Sequence, residues 1–184
     1  MTRFEFVLVL VSIVVGLGIT DILTNVARET RIRRKVVHSF CHSALTAAIF
    51  VGLLQFWWES WKLGQFEGWN FALVFLALGS PTLLFIVAHL LYPTELAGTD
   101  LGRYYDENAR LIWLLLVLST VLSVIMKPII LDVPLWVVGN ASSGFLVLLG
   151  LVLAFLPGRR LHGLLISVVI LVMLADIFGF SFYL

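Results

Sequence analysis

A chain of 184 residues with 61% hydrophobic and 12% charged residues carries about half the charge of a water-soluble domain. A net charge of +1 gives no basis for a nucleic-acid partner. Cys41 is the sole cysteine, so an intrachain disulfide and a multi-cysteine metal or iron–sulfur centre within one chain are excluded.

The partner this composition fits is the lipid bilayer. A span needs about 20 mostly apolar residues to cross a hydrocarbon layer of ~30 Å. Apolar runs bounded by charge, Gly or Pro predict six spans. The first, Phe4–Leu23, contains Glu5 and Asp21 and is followed by arginines, which marks a retained span rather than a cleaved leader. It ends in GLGITDIL, where Gly16, Gly18 and Thr20 suit close helix packing and Asp21 is followed one turn later by Thr24 and Asn25. The second, Val36–Trp58, opens with His38 and His42 at i and i+4, but HSFCH lacks the glutamate of HExxH, so hydrolytic zinc chemistry is poorly supported.

The third span, Phe71–Tyr92, carries Pro81 near its middle and His89 near its end. Pro81 removes the hydrogen bond to the Ala77 carbonyl, and Gly79 and Ser80 can accommodate the kink. A long connection, Pro93–Arg110, reads either as a short interfacial segment or as a solvated loop. The fourth span, Leu111–Leu131, holds Ser119, Thr120 and Ser123 and is interrupted by Lys127 and Pro128. The fifth, Val133–Leu156, has Pro134 in its first turn, then Asn140 and Ser143. His162 precedes the sixth, Leu164–Leu184, which contains Asp176.

Runs such as LVLVSIVVGLGI do not alternate, so the fold class is all-α rather than a closed barrel: one transmembrane domain over residues 1–184. Arg28, Arg31, Arg33, Arg34 and Lys35, then Arg103 and Arg110, then Arg159 and Arg160 fall in alternate connections and predict a cytoplasmic face, with both termini outside. Trp57, Trp58, Trp61, Trp69 and Trp136 fall at the opposite ends of spans, where interfacial anchoring accounts for them. No internal repeat supports two inverted halves.

An ionisable group inside a span usually faces protein or water, which singles out Asp21 and Asp176. Asp176 shares a depth with Asn140, so a hydrogen bond between them is expected. Ser80, Pro81, Ser119, Thr120, Ser123 and Ser143 can line a midplane track. The bland alternative is that carboxyls and hydroxyls only tie helices together. His38, His42, His89 and His162 all fall toward the arginine-rich face, where they can ligate a b-type haem or metal, relay protons, or simply rest at the boundary.

GLGITDIL, the basic turn RIRRK and LLQFWWESW resemble features of small bacterial multi-span proteins of uncharacterised activity. The resemblance covers the first two spans and implies a bacterial inner-membrane protein, with no activity, cofactor or catalytic residue carried over. Intramembrane Asp21 and Asp176, mid-span Pro81 and the scattered hydroxyls make the expected function a channel or compact transporter for an ion or small solute, assembled as a homo-oligomer. A haem- or metal-binding redox subunit and a non-transporting sensor or scaffold are the alternatives. No nucleophile, base and oxyanion donor assemble from the sequence, so no enzyme is favoured.

Overall fold

The computed structural model describes residues 2–130 and 140–181, side chains at 65, 180 and 181 excepted. They form six helices: α1 (Arg3–Arg31), α2 (Phe40–Glu59), α3 (Phe71–Leu90), α4 (Leu101–Ile130), α5 (Ala141–Phe155) and α6 (Arg159–Asp176). Turns of 3₁₀ helix follow α1 (Arg33–Lys35) and α2 (Ser60–Gln65), and a π-helical turn (Ile177–Ser181) extends α6. The fold is all-α, and five helices are long and apolar enough to cross a membrane. The fifteen residues of α5 reach about 22 Å at 1.5 Å per residue, short of a ~30 Å layer. Positions 131–139, which include Leu131, Val133 and Pro134, lie outside the described residues.

Helix ends differ from the apolar runs because hydropathy reports lipid contact, whereas the backbone continues until a cap stops it. α1 starts at a capping box, Thr2 with Glu5, and runs past Leu23 to Arg31. The segment Thr24–Arg31 contains neither Gly nor Pro to end it. α4 begins ten residues before Leu111, where the Asp100 carboxylate accepts from the Gly102 and Arg103 amides at 2.8 and 3.1 Å. Most of the expected long connection is thus helix. Lys127 and Pro128 lie within α4 rather than interrupting it. α2 starts at Phe40, later than the expected Val36, because the Val37 backbone pairs with Thr99 and Leu101 in a parallel bridge. α6 starts at Arg159, before the expected Leu164.

Around the bundle α1 packs on α3, α3 on α4, α4 on α5, α5 on α6, α6 on α2 and α2 back on α1. The six helices close a ring, and α2 also reaches α3 and α4 across it. One end carries the basic connections and is tied together by the Val37–Asp100 bridge, an Arg28–Thr94 carbonyl bond (3.3 Å) and an Arg159–Asp106 ion pair (2.6 Å). The other end carries Trp57, Trp58 and Trp61, all exposed, which suits interfacial anchoring. Trp69 departs from that expectation: it is buried edge-on against Phe66, with centroids 5.4 Å apart. Trp136 lies outside the described residues.

Candidate functional site

Along α4, Ser119, Ser123 and Lys127 recur every four residues and therefore share one face, which turns into the ring. Ser80 of α3 faces them. Its hydroxyl lies 2.8 Å from the Ser119 hydroxyl and 2.9 Å from that of Ser123, and Ser119 donates to the Ser80 carbonyl at 3.2 Å. One assignment uses each proton once: Ser123 donates to Ser80, Ser80 to Ser119, and Ser119 to the carbonyl. Pro81 follows directly inside a continuous α3, so these hydroxyls satisfy polar groups beside the missing backbone donor. Thr120 satisfies itself on the Leu116 carbonyl at 2.9 Å.

The ring encloses a cavity of about 550 Å³ lined by all six helices. That volume falls within the ~300–1,000 Å³ typical of small-molecule sites. Its walls are graded. Toward the tryptophan-rich end they carry Glu59, Lys62, Lys127, Asn140 and Asp176. At mid-depth Ser80, Ser119, Thr120, Ser123 and Ser143 share the wall with Ile49, Leu146, Val169 and Met173, and deeper still lie Leu45, Leu84, Leu116 and Trp113. At the mouth, Lys127 donates to the Asn140 amide oxygen at 2.9 Å and Ser142 donates to Asp176 at 2.9 Å. The carboxyl is therefore held by Ser142, the neighbour that sequence reasoning passed over for Asn140.

Below the apolar half, the Trp113 indole donates to the Tyr105 hydroxyl at 3.0 Å, which lies 2.6 Å from Nδ1 of His162. His162 Nε2 lies 2.8 Å from the Leu156 carbonyl. A neutral imidazole protonated on Nε2 satisfies all of these groups: it donates to Leu156 and accepts the Tyr105 proton. Tyr105, Trp113 and His162 are all buried, so this floor is closed by satisfied hydrogen bonds. Nearby, the Cys41 thiol donates to the Arg159 carbonyl at 3.4 Å and Arg110 lies over the Phe155 ring at 5.0 Å.

The remaining candidates do not join this site. Asp21 faces the flank of α1, 3.3 Å from His89 of α3, whose side chain is 73% exposed. Asn25 is buried but bonds to the Asp21 carbonyl and receives Arg28. His38 pairs with Glu29 at 2.7 Å, and His42 lies 2.8 Å from the Leu91 carbonyl. With His162 committed to the floor, the four histidines have four different sets of partners. Among the described residues no three His, Cys, Asp or Glu side chains converge to hold a metal ion. A second cavity of about 470 Å³, between α1 and α2, is bordered by Glu29, Arg33, His38 and Tyr92.

Of the candidates, Ser80, Ser119, Thr120, Ser123, Asn140, Ser143 and Asp176 border one cavity, whereas Pro81, Asp21, Asn25 and the histidines are not among its lining residues. Sequence reasoning did not select Lys127, Ser142, Tyr105 or Trp113. The four-residue recurrence Ser119–Ser123–Lys127 was a readable signal for the first; nothing local marked the others. Compared with known proteins, the chain matches no family model, no curated protein and no solved structure.

Proposed function

We propose that this chain is a multi-pass inner-membrane carrier that binds a small solute inside its helix ring, reached from the tryptophan-rich end, which faces away from the cytoplasm. The observation that carries this reading is the graded cavity: a charged mouth, a middle that mixes hydroxyls with apolar side chains, and an apolar depth. Its closed floor of Tyr105, Trp113 and His162 supports a carrier over an open channel. The bilayer is the surrounding partner. All six helices of one chain contribute to the lining, so this reading does not depend on a homo-oligomer.

The test uses the single cysteine to advantage. In a Cys41→Ala background, a Ser119→Cys variant is exposed to a membrane-impermeant methanethiosulfonate reagent in right-side-out and inverted vesicles. Labelling is expected to be much faster from the tryptophan-rich side than from the arginine-rich side. No labelling of this variant or of Ser143→Cys from either side would remove the hydrated cavity, and equally fast labelling from both sides would replace the carrier with a channel.

A further inference from the structure

Asn140 and Ser142 stand two positions apart at the start of α5, between α4 and α6. Asn140 holds the Lys127 ammonium of α4, and Ser142 holds the Asp176 carboxylate of α6. A cation and an anion thus flank one helix start at the mouth of one cavity. Among the described residues each is held by a neutral side chain rather than by the other. Opposite charges kept apart near lipid are costly unless each meets water or a counter-charge. Below them the walls lose polarity, through a middle that mixes the serines with Leu146, Val169 and Met173 to Leu45, Leu116 and Trp113.

We infer that this cavity, taken as the solute site proposed above, binds a zwitterionic amphiphile: its ammonium at Asp176, its carboxylate or phosphate at Lys127, and its apolar body along the deep half. A bare ion leaves the apolar walls unused. Glu59 and Lys62 line the same mouth, so it presents both signs of charge; an uncharged apolar molecule leaves both signs unused, and a molecule of single charge engages only one. Two sources share the required chemistry, a free apolar amino acid and a single-chain zwitterionic phospholipid.

The experiment measures how probes slow methanethiosulfonate labelling of Ser119→Cys (Cys41→Ala background) in nanodiscs. The probes are leucine, a short-chain lysophosphatidylethanolamine, and the single-charge analogues 4-methylpentanoate and isopentylamine. A zwitterion is expected to slow labelling by roughly tenfold more than either analogue, the effect of one additional charge-assisted hydrogen bond. Asp176→Asn and Lys127→Gln are each expected to erase that advantage. Protection by leucine names a free solute, protection by the lysophospholipid names a lipid, and protection by both assigns the site to the shared head chemistry. If Ser119→Cys labels but the zwitterions protect no better than the analogues, the inference falls while the cavity stands. If neither Ser119→Cys nor Ser143→Cys labels, the carrier reading falls and takes the inference with it.

Discussion

A Cβ added at Gly18 would lie 3.0 Å from Leu53 Cδ1, with the Phe85 backbone at 3.5 Å, whereas at Gly16 it would meet nothing within 4 Å. Only Gly18 therefore serves the close helix approach. Gly16→Ala is expected to stabilise by up to about 1 kcal/mol through helix propensity. Gly18→Ala, which must shift a fully buried Leu53, is expected to melt lower than Gly16→Ala in the same detergent; the reverse order would refute the contact. Adjacent tyrosines give a second comparison. Tyr105→Phe strands the Trp113 indole and His162 Nδ1 in a buried site, at a cost of about 1–3 kcal/mol. Tyr104→Phe loses a single bond to the Leu90 carbonyl and should cost about 1 kcal/mol or less. Equal melting temperatures for the two variants would argue against a hydrogen-bonded floor.

Between elements, the tightest constraint is α4 against α5. A Cβ at Gly150 would lie 2.6 Å from Cγ2 of Val117, and a β-branched side chain in a helix has little freedom to turn aside. Gly150→Ala is expected to destabilise by about 1–3 kcal/mol, and adding Val117→Ala to recover most of it, so the double variant should melt above Gly150→Ala alone. Non-additivity of that sign is the signature of direct contact. How far such relations could be read from the sequence depended on their range. Helix number and the polar recurrence on α4 are local, and apolar length or four-residue spacing reveals them. The ends of α1 and α4 were misjudged because helix extends beyond apolar runs when caps such as Asp100 permit. The ring order, in which α1 neighbours α3 and α2 closes against α6, is set by packing between distant segments. One sequence does not encode that order in any period, so it separates Asp21 from Asp176 by depth but does not show that only Asp176 of the two lines the cavity.

At the scale of the molecule, the two ends differ in both charge and closure. All Lys and Arg residues except Arg3, Lys62 and Lys127 belong to the arginine-rich end, the one the Val37–Asp100 bridge and the Arg159–Asp106 pair draw together. In the proposed orientation the basic connections stay on the cytoplasmic side and the cavity mouth opens on the other. Alkaline phosphatase, active only outside the cytoplasm, distinguishes the two arrangements. Fusions ending at Glu67 or Leu184 are expected to be active and those ending at Gly98 or Gly158 inactive. The inverse pattern would turn the molecule over and make the cavity accessible from the cytoplasm. The ring, the graded walls and the Lys127–Asp176 mouth would survive that result, because they rest on contacts within the bundle. What would change is the direction in which the closed floor at Tyr105 has to be crossed, and with it the side from which a solute is supplied.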